Sequence, residues 1–198
     1  MSDGVRICVL GDELVAGQGD ARALGWVGRV LARTRHEVDP FVAALPVPGE
    51  TSTNLAARWE SETASRFDAL DDNRLVIGLS ASDVTSGVST ARSRLNLANV
   101  LDAASASDVR TFVVGPPPRL RVDERALGTV SDAFADVCRR RHVPYVETFE
   151  PLRSHEQWLA DMYGGNGVVP GQAGYGLLAW LVLHEGWHGW LGAEDRAA

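Results

Sequence analysis

The 198-residue sequence contains no lysine, and all 19 of its basic residues are arginine. This absence excludes chemistry that requires a lysine amine, such as Schiff-base formation or a phosphate-binding loop of the Gly-Lys-Ser/Thr kind. Asp and Glu together number 26, and the formal net charge is −7 at pH 7. The only basic run, Arg139-Arg140-Arg141, falls at the end of a predicted helix, where positive charge favours the helix dipole. We therefore expect no nucleic-acid partner.

Cysteines and long apolar runs are also scarce. Cys8 and Cys138 both lie in apolar patterns, which is typical of buried free thiols rather than of a disulfide framework or a metal site. No apolar segment is long enough to cross a bilayer, and no charged-then-apolar leader precedes the first predicted strand. We expect a soluble, cytoplasmic protein without a membrane partner. With 45% hydrophobic residues, a single domain over residues 1–198 is the expected organisation.

Short apolar runs alternate with longer segments of helical periodicity, which is the pattern of an α/β protein. The predicted strands are Arg6–Leu10, Glu37–Ala43, Arg74–Leu79, Arg110–Val114 and Tyr145–Thr148. The predicted helices are Leu24–Arg35, Thr53–Asp68, Thr90–Ala106, Glu124–Arg141 and Gln172–Trp190. This order predicts a three-layer α/β/α sandwich around a five-stranded, mainly parallel sheet of the flavodoxin-like type.

Functional residues of such a sheet gather in the loops that follow the carboxyl ends of the strands. Here these loops are Gly11-Asp12-Glu13-Leu14, Leu45–Glu50, Ser80-Ala81-Ser82-Asp83 and Gly115–Pro118, with Gly164–Pro170 before the last helix. Their order resembles that of the SGNH, or GDSL, family of esterases and lipases. The family has Gly-Asp-Ser after its first strand, a glycine after the second, Gly-x-Asn-Asp after the third, and Asp-x-x-His-Pro before the last helix. The resemblance spans nearly the whole chain and implies the family's fold.

The same resemblance implies that the catalytic centre has been replaced. The family's serine, oxyanion-hole asparagine, acid and histidine fall at Glu13, Ser82, Asn166 and Val169, and only Gly49 is kept. Triad catalysis needs a hydroxyl nucleophile, an imidazole base and a carboxylate that orients the base. We therefore expect no serine-esterase activity. The chain is interpreted as a pseudoenzyme that binds a small-molecule ligand or a protein partner at the vestigial pocket.

Under this alignment, carboxylates crowd the vestigial pocket. Asp12, Glu13 and Asp83 should approach one another at adjacent strand ends, with Glu50 and Asn166 nearby and no lysine to neutralise them. Such crowding should raise the pKa of at least one carboxyl group and make the pocket acidic, so that it favours cations, amines or hydroxyl-rich ligands.

Three roles for this carboxylate cluster remain open. Glu13 and Asp83 could act as the acid and base of a hydrolase for ester or glycosidic bonds. The cluster could instead hold Mg²⁺ or Ca²⁺ through its oxygens. Alternatively, Glu13 accepts backbone hydrogen bonds and fills a disused oxyanion hole.

A separate motif lies near the C-terminus. The sequence His184-Glu185-Gly186-Trp187-His188 matches HExxH, the spacing that places two imidazoles on one helical face for zinc hydrolysis. Gly186 weakens a helix in the middle of the motif, and Glu194 and Asp195 are the only plausible third ligands that follow. A zinc hydrolase is therefore a second alternative function.

The motif also has a purely structural interpretation. His184 and His188 would share a stripe with Trp180, Trp187 and Leu191, which would pack the helix either on its own domain or on another chain. Tryptophan is enriched where proteins meet, so a homodimer is one possible outcome of this packing.

Overall fold

A computed structural model describes residues 4–36 and 38–195. The strands within these residues are β1 (Val5–Gly11), β2 (Thr34–Arg35), β3 (Phe41–Pro46), β4 (Asp72–Gly78), β5 (Arg110–Val114), β6 (Tyr145–Val146) and β7 (Glu194–Asp195). Five of them form one parallel sheet in the order β3-β1-β4-β5-β6. Strands β2 and β7 form a separate antiparallel pair.

The helices are α1 (Gly25–Arg33), α2 (Ser52–Ala64), α3 (Ser82–Thr85), α4 (Thr90–Ala106), α5 (Glu124–Arg140), α6 (Phe149–Arg153), α7 (Glu156–Gly164), α8 (Gln172–Val182) and α9 (His188–Leu191). A π-helical turn, Leu183–Trp187, joins α8 to α9. Thr51, Ser89 and Asp123 cap α2, α4 and α5, because each side chain accepts a hydrogen bond from a backbone N–H in the first turn. In the part of the chain that the structure describes, no helix is long and apolar enough to span a membrane.

The sheet is buried on both faces, as the apolar runs predict. Ile7 and Val9 of β1 pack into one core with residues of α1, α8 and α9, whereas Cys8 and Leu10 pack into another with residues of α2, α4 and α5. Successive side chains of a strand point to opposite faces, so one apolar strand serves both cores. The predicted three-layer α/β/α sandwich is confirmed.

Several predicted boundaries differ from the structure, and two of the differences have a clear physical reason. The second strand of the main sheet is Phe41–Pro46 rather than Glu37–Ala43, and Glu37 itself lies outside the described residues. Pro40 lacks a backbone N–H, and the ladder with β1 begins directly after it, at Phe41. The predicted helix Gln172–Trp190 is interrupted because Gly186 adopts a positive φ of 98°.

Candidate functional site

The site lies where β1 and β4 end side by side. Gly11 and Gly78 are register partners at these ends. A Cβ atom on Gly11 would lie 2.2 Å from the carbonyl oxygen of Gly78, so the close approach of the two strands requires glycine here. The sheet order reverses at β1, whose neighbours β3 and β4 follow it in sequence on opposite sides. The carboxyl edge at this switch point is the usual ligand crevice of an open parallel sheet.

Asp12 is the first residue after β1 and is 1% exposed. Its Oδ1 accepts a hydrogen bond of 3.0 Å from the backbone N–H of Leu14, which fixes the turn that follows the strand. Its Oδ2 accepts from the Ser80 hydroxyl and, at 2.6 Å, from Nη2 of Arg119. Asp12 is thus the centre of a hydrogen-bond network that links the first, third and fourth loops of the sheet edge.

Glu13 is also buried, at 7% exposure, and both of its oxygens are engaged. Oε2 accepts a hydrogen bond of 2.7 Å from the backbone N–H of Gly49. Oε1 accepts one of 2.8 Å from Nη1 of Arg119. The carboxylate therefore bridges the loop after β3 to the loop after β5.

Arg119 is the cation of the site, and its loop is anchored on both sides. The carbonyl of Pro118 accepts a hydrogen bond of 3.1 Å from the indole N–H of Trp158 on α7. The N–H of Leu120 donates at 3.1 Å to the carbonyl of Gly167. These contacts hold the Arg119 side chain, which is 7% exposed, against Asp12 and Glu13. The absence of lysine therefore does not leave these carboxylates uncompensated, because Arg119 pairs with both of them.

The pKa values of the Asp12 and Glu13 carboxyl groups are shifted in opposite directions. Burial raises the pKa of Asp12, although Arg119 and Ser80 oppose that effect. Burial would also raise the pKa of Glu13, but hydrogen bonds from the backbone N–H groups of Gly49 and of Glu13 itself, together with Arg119, lower it overall. The expected rise of at least one carboxyl pKa is therefore confirmed for Asp12, whereas Glu13 remains ionised more readily than an ordinary glutamate.

Ser82 and Asp83 occupy the loop after β4 and begin α3. The hydroxyl oxygens of Ser82 and Ser80 lie 3.2 Å apart, so Ser82 extends the network that is centred on Asp12. Oδ1 of Asp83 accepts a hydrogen bond of 2.7 Å from the backbone N–H of Ser52, the first residue of α2. Its Oδ2 is buried and has no hydrogen-bond partner in the described structure. Asp83 thus points to the start of α2, whereas Asp12 and Glu13 are held by Arg119.

Gly49 and Glu50 lie in the turn between β3 and α2. Gly49 has φ of 70°, a left-handed conformation that favours glycine and directs its N–H at Glu13. The Glu50 carboxylate pairs with Arg58 at 2.5 Å and 2.6 Å. Burial raises the pKa of Glu50, against the effect of Arg58. The cation for this carboxylate is thus also an arginine, supplied from α2.

Asn166 and Val169 lie in the loop before α8, and their contacts differ from those of the carboxylates. The side-chain oxygen of Asn166 accepts hydrogen bonds from the backbone N–H groups of Val168, at 2.9 Å, and Val169, at 3.1 Å. Val169 is 6% exposed and packs in the same core as Leu14 and Val15. The structure therefore gives Asn166 a turn-forming contact and Val169 an apolar one.

The HExxH segment does not form a continuous helical face. Glu185 and Gly186 have non-helical backbone angles within the π-helical turn. His184 is exposed, stacks on Trp180 at 4.1 Å, and its Nδ1 lies 2.7 Å from the carbonyl oxygen of Trp180. Nε2 of His188 is instead buried without a hydrogen-bond partner in the described structure. The side chains of Glu194 and Asp195 lie outside the described part of the chain.

No group of three or more His, Cys, Asp or Glu side chains within residues 4–36 and 38–193 is arranged to hold a metal ion. This applies to the HExxH segment and to the carboxylates around Asp12, whose oxygens already accept from Ser80 and Arg119. Binding of zinc, magnesium or calcium was an alternative raised by the sequence. The arrangement of these side chains does not favour it.

The predicted tryptophan stripe is divided between the interior and the surface. Trp187 and Leu191 are buried at 2% and 6% exposure, whereas Trp180 is 49% exposed. The interruption at Gly186 changes the helical register, so residues before and after it no longer share one face. Intramolecular packing therefore accounts for the second half of the stripe, and a homodimer stays a prediction for the first half.

Sequence reasoning missed Arg119, Ser80 and Ser52. Arg119 directly follows the Pro116-Pro117-Pro118 run in the loop after β5, one residue beyond the predicted loop residues. A basic residue at the carboxyl edge of a strand, in a sequence with excess carboxylates at neighbouring edges, was the available signal.

Comparison with known proteins agrees with the observed fold. Residues 9–177 match the sequence model of the GDSL-like Lipase/Acylhydrolase family. A search of curated protein sequences found no match.

Several solved structures have a similar fold. The lipase/acylhydrolase from Enterococcus faecalis superposes with a TM-score of 0.75 at 18% identity, covering 98% of this chain and 99% of that one. TesA gives 0.73 at 22% identity, over 91% and 97% of the two chains. Axe2, an acetylxylan esterase from Geobacillus stearothermophilus, gives 0.74 at 19% identity, over 93% and 96%. At these identities the similarity establishes the fold alone.

Proposed function

Because this chain belongs to the GDSL-like lipase/acylhydrolase family, we propose that it is a non-catalytic member whose former reaction site is filled by its own Glu13. In this proposal the protein acts by binding a small-molecule ligand or a protein partner. The position of the lost nucleophile is taken from the family resemblance. The contacts of Glu13 support the proposal that this position is filled.

The hydrogen bond between Glu13 and Gly49 is the observation that carries the proposal. Hydrolases of acyl groups stabilise the tetrahedral intermediate with backbone N–H groups that face the nucleophile. Gly49 presents such an N–H, and the Glu13 carboxylate accepts it at 2.7 Å. An anionic oxygen of the protein thus takes the position that the oxyanion of a substrate would need. A substrate carbonyl would have to displace a charge-paired carboxylate before it reached this donor.

The loss of the family's general base supports the same proposal. The resemblance aligns the family's histidine with Val169, a core residue at 6% exposure that cannot accept a proton. Ser80 and Ser82 are the hydroxyls nearest to the network, and Ser80 donates to the Asp12 carboxylate. Neither hydroxyl has an imidazole partner in the described structure, so neither has the kind of base that activates the family's serine.

A hydrolase that uses Glu13 and Asp83 as acid and base is the alternative, and its contacts argue against it. A general acid for glycosidic or ester cleavage needs a raised pKa, whereas the pKa of Glu13 is lowered. The two side chains also accept hydrogen bonds from different backbone N–H groups, those of Gly49 and Ser52. Raised pKa values occur instead at Asp12 and Glu50, and each of these carboxylates is paired with an arginine.

Turnover measurements with the purified full chain test this proposal. Wild type and Glu13→Gln are assayed with 4-nitrophenyl acetate, 4-nitrophenyl butyrate and a set of 4-nitrophenyl glycosides, with heat-denatured protein as the background. We expect no rate above the background for either protein. A wild-type rate that Glu13→Gln abolishes would establish the carboxylate hydrolase instead. A wild-type rate that survives Glu13→Gln would point to another nucleophile and would also overturn the proposal.

A further inference from the structure

A second cavity lies on the other wall of the Arg119 loop, between residues 118–122 and the helices α5, α6 and α7. Its volume is about 350 Å³, within the range of about 300–1,000 Å³ that is usual for small-molecule sites. None of the seven positions that the sequence assigns to the vestigial site lines it: Asp12, Glu13, Gly49, Ser82, Asp83, Asn166 and Val169. The cavity is therefore distinct from the strand-edge site, and Arg119 is the residue that the two have in common.

Apolar and aromatic side chains form the floor of this cavity. Phe149, Trp158 and Met162 are buried at 4%, 1% and 1% exposure. Tyr163 stands at the opening and is 72% exposed, which is unusual for a large aromatic side chain. A planar aromatic body would bury both the floor and the Tyr163 ring.

The charged groups of the wall are mostly cationic. Arg119, Arg121 and Arg153 line the cavity together with one carboxylate, Glu124. Arg153 is already paired, since it lies 2.9 Å from Glu150 and 3.5 Å from Glu124. Arg121 has no ion-pair partner among the side chains that the structure describes.

Arg119 also lines this wall, and one of its donors is unused. Its Nη1 and Nη2 are taken by Glu13 and Asp12, whereas its Nε is buried and has no hydrogen-bond partner in the described structure. Leaving a buried donor unpaired is costly. An acceptor supplied by a bound molecule would satisfy it.

The backbone conformation of Arg121 is a further observation in favour of a ligand site. Arg121 has φ of 62°, a left-handed conformation that is uncommon for residues other than glycine. Non-glycine residues in such conformations cluster at ligand sites, where the surrounding structure holds them in place. Arg121 lines the rim of the cavity.

We propose that this cavity binds an organic anion with an aromatic body. The anionic group accepts hydrogen bonds from Arg121 and from Nε of Arg119, and the ring packs against Phe149 and Tyr163. This inference deepens the binding role proposed above by naming the chemistry of the ligand, and it places the ligand beside the filled reaction site rather than in it.

Three naphthalene derivatives of matched shape serve as probes: 2-naphthoate, neutral 2-naphthamide and cationic 2-naphthylmethylammonium. Each is titrated into the ¹⁵N-labelled full chain, and dissociation constants are taken from amide chemical shifts. We expect 2-naphthoate to bind about ten-fold or more tightly than 2-naphthamide, because hydrogen bonds to charged groups contribute that much. The cation should bind most weakly. The shifts should concentrate at Leu120, Arg121 and Val122 and at residues 159–163.

Two matched arginine variants test whether the preference for the anionic probe depends on Arg121. Arg121→Gln should remove most of the preference for 2-naphthoate over 2-naphthamide and leave the affinity for 2-naphthamide unchanged. Arg33→Gln, at an exposed position on α1 away from the cavity lining, alters the net charge equally and should leave both affinities unchanged. A blocking variant, Leu159→Trp, should remove the binding of all three probes. If Leu159→Trp does not fold, the comparison of the two arginine variants still decides the outcome.

Equal affinities for the three probes, shifts located outside the cavity, or the same loss in Arg33→Gln as in Arg121→Gln would overturn the inference. These outcomes are independent of the ester and glycoside assays. A cavity that binds no anion, in a protein without turnover, would refute the named ligand and leave the non-catalytic proposal standing. Turnover together with anion binding would do the reverse.

Discussion

The carboxylate of Glu13 accepts a hydrogen bond from the backbone N–H of Gly49, a residue 36 positions away in sequence. This contact joins the loop after β1 to the loop after β3 at the carboxyl edge of the sheet. Under the proposed function, this internal acceptor takes a donor that an acyl substrate would need. Arg119 pairs with the other oxygen of the same carboxylate.

Removing the cation should leave two buried carboxylates without compensation. We expect Arg119→Met to lower the free energy of unfolding by about 3–5 kcal/mol, as when one partner of a buried ion pair is lost. Arg119→Lys should recover only part of this loss, because one ammonium group cannot present the two separate N–H groups of a guanidinium to Asp12 and Glu13. Urea denaturation followed by tryptophan fluorescence measures both.

Arg33→Met is the control for Arg119→Met, because Arg33 is exposed and lies at the end of α1. A loss in Arg119→Met that stays within about 0.5 kcal/mol of this control would show that the network contributes little to stability.

Acid should weaken the contribution of Glu13. Its pKa in the folded protein lies below the ordinary value of 4.5, so the unfolded chain binds a proton first as the pH falls. The stability that ionised Glu13 provides is present above pH 4.5 and is lost as the pH falls through its folded pKa. The stability difference between wild type and Glu13→Gln should therefore shrink as the pH is lowered from about 6 to about 3.

Asp12 should show the opposite trend, because burial raises its pKa above the ordinary value of 3.8. The folded protein then binds the proton first, so the contribution of Asp12 is greatest in acid and falls as the pH rises through its folded pKa. The stability difference between wild type and Asp12→Asn should grow as the pH is lowered. Urea titrations of the three proteins across this range would contradict the account if both differences moved in the same direction.

Two glycines of the site should differ sharply in their tolerance of a methyl group. A Cβ on Gly49 meets no atom within 4 Å, so Gly49→Ala should cost only the left-handed conformation, about 1–2 kcal/mol. A Cβ on Gly11 would lie 2.2 Å from a backbone oxygen of β4 and 2.7 Å from the Val15 side chain. Gly11→Ala should therefore be the more destabilising in thermal and urea unfolding. Equal losses would mean that the two strand ends are not so closely apposed.

The HExxH segment should not retain zinc. Its helix is broken at Glu185 and Gly186, and His184 is engaged with Trp180. After equilibration with ZnCl₂ and dialysis against a weak chelator, mass spectrometry of the metal content should give well under one zinc ion per chain. One ion per chain in wild type that is lost in His184→Ala would support the zinc hydrolase.

Most of the sheet could be predicted because its central strands β1, β4 and β5 are short apolar runs that are buried on both faces. Arg110–Val114 and Thr90–Ala106 were predicted to the residue. The break in the last helix could not be predicted from periodicity, because apolar residues continue through Gly186 and only the backbone conformation there interrupts the helix. The short helix α3 has four residues, too few to show a helical period.

The site was predictable only in its carboxylates. Asp12 and Glu13 follow a recognisable strand, so their position at the sheet edge could be inferred. Their partner could not, since Arg119 reaches them over 107 and 106 residues of sequence and only the folded chain shows which of 19 arginines does so. The sequence therefore predicted an acidic pocket, whereas in the folded protein Asp12 and Glu13 are paired with Arg119.

The most direct test of the account is the ¹H and ¹⁵N chemical shift of the Gly49 amide, followed by NMR through an acid titration and compared between wild type and Glu13→Ala. If the Glu13 carboxylate accepts a hydrogen bond from this N–H, the chemical shift of the Gly49 amide in wild type should follow the ionisation of Glu13, with a pKa below 4.5. In Glu13→Ala it should lose both the titration and the downfield proton shift of a charge-assisted hydrogen bond. A Gly49 amide that has the same shift and the same pH dependence in both proteins would contradict the claim that Glu13 fills the site.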